Sequence, residues 1–310
     1  MSRGVGETEF AAALPDSIGF LAALVTALGD VWFVFALLGV LYWFGSSLPG
    51  PVSLPRLRAA FAVGLAFGGL AVTTALQELF RLPRPPGAAE PARAALVPEG
   101  LLPLYAQIGA ADGFGFPSGH AVAAVVVYGG LAVLIGSRRG YAGAAMLCLL
   151  IPLSRIALGV HYLVDIVAGA AVGAAFLAIA YRLCGRGENP GRVLFLSLLA
   201  ALVGAAVSYN AETMLALGGA LGARMAWGIV GDAIVHEATT VIGGIVSAAV
   251  GTAFGGLFVV VYVIDPAPYV GFLGMFVVVW GVLAAPLAGE GLARRLSSLG
   301  AASADHRNSH

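Results

Sequence analysis

Nine apolar runs follow one another along this chain: Ile18–Phe44, Ala59–Phe80, His120–Ile135, Tyr141–Leu158, Tyr162–Leu183, Val193–Val207, Met214–Val230, Ile242–Val263 and Val270–Leu287. At ~1.5 Å of helix per residue these runs of 15 to 27 residues span about 22 to 40 Å, a range that brackets a hydrocarbon core of ~30 Å. They are continuous rather than alternating, so the spans are helices and not the strands of a barrel. Of 310 residues 60% are hydrophobic and 10% charged, a composition that no fully water-exposed surface tolerates. The expected fold is all-α: a polytopic transmembrane helical bundle of about nine spans. Ile18–Phe44, although interrupted by Gly29-Asp30, counts as a single crossing in this reading.

All 16 basic residues are Arg, and the net charge is zero, so nothing points to a nucleic-acid partner. With nine crossings, one face holds Arg56, Arg58, Arg138, Arg139, Arg182, Arg186, Arg192, Arg294, Arg295 and Arg307. The other holds only Arg3, Arg81, Arg84, Arg93 and Arg155. The positive-inside rule puts the first set in the cytoplasm. The expected location is therefore a cell membrane crossed many times, with the long polar insertion Arg81–Ser118 and the turn Ser154–His161 sharing the extracytoplasmic face. The N-terminus through Pro15 is mixed and lacks the basic region of a cleaved signal peptide. After Leu287 a polar tail runs to His306 and His310. Cys148 and Cys184 lie in apolar segments and read as small hydrophobes rather than a disulfide or metal pair. Gly243, Gly244, Gly255 and Gly256 read as sites of close helix packing.

Ionisable groups at membrane depth are costly and by default mark function. Three clusters of them converge on the arginine-poor face: Gln77 with Arg81 and Arg84-Pro85, Pro117-Ser118-Gly119-His120, and Ser154-Arg155 followed by His161 and Asp165. If the chain is helical from Val160 onward, His161 and Asp165 project from one face. A carboxylate there can hold one imidazole nitrogen as N–H and leave the other free. Arg84 and Arg155 can grip phosphate oxygens bidentately. Ser118 reads as a helix cap and Gly119 lets the backbone approach an anion at that helix start. Two histidines can divide nucleophilic attack from protonation of the leaving oxygen.

This pattern resembles the type-2 phosphatidic acid phosphatase and vanadium haloperoxidase superfamily, whose motifs are Lys-x6-Arg-Pro, Pro-Ser-Gly-His and Ser-Arg-x5-His-x3-Asp. The second and third match at every defined position. The first matches at Arg84-Pro85, with Gln77 where the family has Lys. The resemblance covers about Asp30 to Tyr181 and implies a phosphatase core over residues 1–184, with five spans, followed by four additional spans over residues 185–310. It implies that His161 is a nucleophile forming a phosphohistidine, oriented by Asp165. His120 is then the general acid and later the base for water, while Arg84, Arg155, Ser118 and the Gly119 N–H bind phosphate. It implies no cofactor and no metal. Arg81, four residues after Gln77, could reach back toward the missing Lys position, or could be a residue of the membrane rim.

Asp30, Glu78 and Asp112 read as rim residues or caps, and His236-Glu237 as a loop pair. Three functions fit: a phosphatase acting on a membrane lipid phosphate, a phosphotransferase using the same phosphohistidine, and a non-catalytic or transport relative. Phosphatidic acid, phosphatidylglycerophosphate and polyprenyl phosphate or diphosphate all suit the first.

Overall fold

The structure, a computed structural model, describes residues 3–50, 53–92, 94–237, 239–263 and 267–308. Arg93 and His310 lie outside the described residues. Among those described, twelve helices form the fold, which is all-α and polytopic: α1 Glu7–Ala13, α2 Asp16–Ala27, α3 Val31–Phe44, α4 Arg56–Phe80, α5 Leu102–Gly109, α6 Gly119–Ile135, α7 Arg138–Ala157, α8 Leu163–Leu183, α9 Pro190–Val207, α10 Ala211–His236, α11 Val241–Val263 and α12 Pro268–Asn308.

Six of these, α4, α7, α8, α9, α10 and α12, are long and apolar enough to cross a membrane, and Val31–Ser47, Gly119–Ile135 and Val241–Leu257 are shorter apolar helices. Large apolar side chains such as Leu149, Val167, Ile179, Val203 and Ile229 are exposed on the outside of the bundle. Such a surface is stable in lipid and not in water. The chain is thus a multi-pass membrane protein.

α4 is the hub. In its most apolar stretch 83% of residues are buried, against 28% in α7 and α8, which identifies α4 as the helix that the others surround. At one of its ends Arg56 is sealed in. Its guanidinium donates to Glu290 at 3.0 Å and to the carbonyls of Tyr42, Trp43 and Ile234, and Glu290 also accepts from Thr240 N and Oγ1. A buried pair is tolerated only when its remaining donors and acceptors are matched in this way. The network binds α12 directly to α4.

Several expectations need correction. Ile18–Phe44 is not one helix: α2 ends at Ala27 and α3 begins at Val31, with Asp30 in the N-cap position. The polar insertion after Arg81 contains α5, whose Tyr105 ring packs 5.6 Å from Phe20 of α2. The segment after Leu287 is no tail, because α12 continues to Asn308 through a stretch rich in Ala, Leu and Arg, all good helix formers. Gly243 and Gly244 lie close against Glu290 and Phe44, whereas Gly255 and Gly256 face open space.

Candidate active site

The end of α4, the start of α6, the end of α7 and the start of α8 meet at one end of the bundle, and hydrogen bonds tie them there. Gln77 Nε2 donates to the Pro117 carbonyl at 2.9 Å, and Ser118 N donates to the Asp165 carbonyl at 3.0 Å. The approach of α8 to α6 depends on Gly169, where a Cβ would lie 2.6 Å from the Ser118 carbonyl oxygen. Phe116-Pro117 is a cis peptide. The two motifs that the sequence marks are thus in contact through their backbones.

His161 occupies the turn between α7 and α8 and is 2% exposed. Its Nε2 lies 2.8 Å from Arg84 Nη1, and its Nδ1 lies 3.4 Å from Asp165 Oδ2. A guanidinium can only donate, so Nε2 is the acceptor and carries the lone pair. The ring proton then belongs on Nδ1, facing the carboxylate. Burial first, and then the charges of Arg84 and Arg155, hold the His161 pKa well below the ordinary 6.5. The imidazole is therefore neutral at physiological pH, with an unprotonated nitrogen aimed at a cation.

Asp165 is fully buried and serves three donors. It accepts Tyr162 N at 3.0 Å, capping α8 from its first turn. It faces His161 Nδ1, and its other oxygen pairs with Arg3 at 2.5 Å. Arg3 also donates to the Pro83 carbonyl and lies over the Tyr162 ring at 5.1 Å. Glu7 accepts from Leu163 N at 2.7 Å, so the N-terminal segment lies across the start of α8.

Arg155 is 3% exposed. Its Nη1 donates to Thr26 Oγ1 at 3.1 Å and to the Ile108 carbonyl, while its Nε has no partner. Ser118 occupies the N-cap position of α6, but its buried hydroxyl makes no cap bond and no other. Buried polar groups are nearly always matched. Two unmatched donors, on an arginine and at a helix N-terminus, are of the kind that can hold an anion. His120, in the first turn of α6, bonds through Nε2 to Asp30 Oδ1 at 2.8 Å. Beside it an apolar cavity of ≈ 110 Å³ is lined by Val34, Phe35, Ala66, Leu70 and Val126.

The structure thus gathers His161, His120, Asp165, Arg84, Arg155, Ser118 and Gly119 at one end of the bundle. Gln77 reaches the group through Pro117. Arg81 stands apart, because it ends α4 in the left-handed region at φ 49°, bonds back to Glu78, and its side chain is 59% exposed. Asp112 contributes its carbonyl, which accepts Arg84 Nε. Among the described residues, no group of three or more His, Cys, Asp or Glu side chains could hold a metal ion.

Residues 57–187 match the family model of the PAP2 superfamily, a stretch that includes Gln77, Arg84 and both complete motifs. This part of the chain belongs to that superfamily. PAP2 membership supports a phosphatase-type activity, that of a hydrolase in general terms. Comparison with the curated proteins and with the solved structures gives no match. Arg3, Thr26 and Asp30 lie outside the PAP2 stretch, and sequence reasoning assigned none of them to the site. The one available signal was Asp30, a carboxylate inside an apolar run.

Proposed function

We propose that this PAP2 protein is an integral membrane phosphatase that hydrolyses a lipid phosphate monoester or diphosphate through a phosphohistidine at His161. The observation that carries the reading is the convergence of a neutral His161, Arg84, Arg155 and His120 on the unmatched Ser118 Oγ and Arg155 Nε. Arg84, Arg155, Ser118 and the Gly119 N–H hold the phosphoryl oxygens. His161 Nε2 forms a bond to phosphorus as the ester P–O bond breaks, and Asp165 supports the Nδ1–H that becomes part of an imidazolium. His120 gives its proton to the departing alkoxide. It then takes a proton from the water that displaces phosphate from His161, which restores the enzyme.

The apolar cavity beside His120 supports a lipid leaving group, since that group departs on the side of the acid. In this reading residues 1–184 are the catalytic unit, the three shorter apolar helices cross together with the six long ones, and residues 185–310 brace α4. The arginine-poor end carries the site and faces away from the cytoplasm. The test is phosphate release from a panel of lipid phosphates by purified protein, with trapping of an acid-labile phosphoenzyme. His161→Ala should lose both. Full turnover in His161→Ala, or activity abolished by a chelator, sinks the mechanism.

A second reading is transfer of the same phosphoryl group to another alcohol; a cleft of ≈ 510 Å³ among α1, Pro86–Ala92 and Gly159, two positions before His161 in the chain, has room for such an acceptor but is lined by none of the site residues. In that case an added alcohol diverts phosphate from water into a new ester.

A further inference from the structure

We propose that Asp30 is a positioning residue for proton transfer, forming with His120 a second His–Asp pair beside that of His161 and Asp165. The proposal rests on the general-acid reading of His120 given above. Its geometric basis is direct: Nε2 and Oδ1 are 2.8 Å apart, and the two side chains are only 19% and 15% exposed.

The simplest alternative for Asp30 is a helix cap, since Asp favours the N-cap position that it occupies. The carboxylate, however, makes no cap bond to α3. It is turned instead to a histidine ninety positions along the chain. The turn that presents it is fixed on either side. Tyr128, two turns beyond His120 on α6, donates its hydroxyl to the Leu28 carbonyl at 2.6 Å, and Thr26 accepts from Arg155. Gly29 permits the approach, because a Cβ there would lie 2.9 Å from His120 Cδ2 and 2.6 Å from Ile151 Cγ2. The break between α2 and α3 therefore supplies a partner to the acid and another to a phosphate-binding arginine.

Chemistry gives the pair a task. A general acid must carry a proton until the P–O bond breaks, yet the charged groups acting on His120 include the cations Arg155 from α7 and Arg84 from the Arg81–Ser118 loop. His161, on the α7–α8 turn, also interacts with it electrostatically. Asp30 is the one anion in that set. By accepting Nε2–H it stabilises the imidazolium and fixes the ring, which leaves the other nitrogen to deliver its proton to the leaving oxygen. The proton goes to the alkoxide as the P–O bond breaks and the His161 N–P bond forms. His120 is left neutral and ready to accept a proton from water.

The test compares two leaving groups on the full-length protein, using kcat/KM, which stops at the first chemical step. An alkyl phosphate needs protonation of its alkoxide, whereas p-nitrophenyl phosphate leaves as a stable phenolate. Asp30→Asn should lower kcat/KM on the alkyl phosphate by about 100-fold or more, within the range of general-acid contributions. Its loss on p-nitrophenyl phosphate should be at least ~10-fold smaller, and Asp30→Glu should recover part of the difference. Equal losses on both substrates, or no loss, overturn the proposal. Should Asp30→Asn fail to fold, the same comparison on Asp30→Ser, which also removes the carboxylate, decides in the same way. His120→Ala separates the two levels of inference. If it loses equally on both substrates, the general-acid reading itself falls. If it discriminates and the Asp30 variants do not, Asp30 alone is removed.

Discussion

Replacing Arg84 by Gln should move the acidic limb of the pH–rate profile upward. In the proposed mechanism only neutral His161 has the lone pair that attacks phosphorus, and its pKa is held well below 6.5 by burial first and by Arg84 second. Arg84 Nη1 stands 2.8 Å from the attacking nitrogen. A like charge at such range disfavours protonation. Arg84→Gln keeps a neutral donor and removes the charge, so the limb should rise while remaining below the ordinary histidine value, because burial, the larger cause, persists. On the plateau, loss of a charge-assisted bond worth about 1.5–3 kcal/mol should cost roughly 10- to 150-fold in kcat/KM.

The assay is kcat/KM against pH from about 4 to 8, a window that spans the histidine range. Ionisation of the phosphate ester, near pH 6, falls inside the window, but it is identical for both proteins, so a displacement between their limbs belongs to the enzyme. A plateau that falls while the limb stays in place would show that Arg84 grips phosphate without tuning His161, and the reasoning would be refuted. Stability carries the same sign. Below pH ~6.5 the unfolded chain takes up a proton on His161 that the folded chain refuses, so stability is fully present above that value and declines as pH falls, by up to ~1.4 kcal/mol per pH unit.

Arg3→Ala removes the charge partner of a fully buried carboxylate, and kcat/KM should drop about 10-fold, equivalent to ~1.4 kcal/mol, with a lowered Tm; an unchanged enzyme would make the N-terminal segment incidental to the site. Arg81→Ala should stay within about 2-fold of wild type, since Arg81 is turned out toward Glu78, and a loss above ~10-fold would return it to the phosphate site. In a cysteine-free background, Ala89→Cys should react with an impermeant maleimide on intact cells and Arg139→Cys should not; the reverse pattern would place the site in the cytoplasm.

How much of this was legible in the sequence depended on how local each signal was. The apolar runs predict an all-α membrane bundle because in lipid a helix satisfies the polar backbone groups of a run within that run, and a run without alternation does not suit a barrel strand. His161 and Asp165 are four residues apart, so one helical turn was enough to pair them on paper. Where the chain has to come back from a distance, the sequence carried no equivalent signal. Arg3 reaches Asp165 across 162 positions, in a segment of mixed composition with nothing to mark it. Gln77 looked like an empty Lys position, yet its amide holds the Pro117 carbonyl, a positional task that a hydrogen-bond donor can perform without charge. Arg81 lies at the right spacing to substitute for that charge, but the spacing applies only while the helix lasts, and α4 ends at Phe80.

Asp30 is the instructive intermediate case. A carboxylate within an apolar run is costly enough to demand a reason, and Gly29-Asp30 was visible as an interruption. Helix capping was an adequate local explanation, and only the fold reveals that the cap bond is absent and that the carboxylate is bonded to His120. The two His–Asp pairs thus differ in origin. One is written into a single motif of the PAP2 stretch, and the other is assembled when a helix break outside that stretch packs against it. A motif specifies residues that must share one turn of chain; the group that steadies the acid needs only to arrive at the right place, and a fold can deliver it from any segment that packs there.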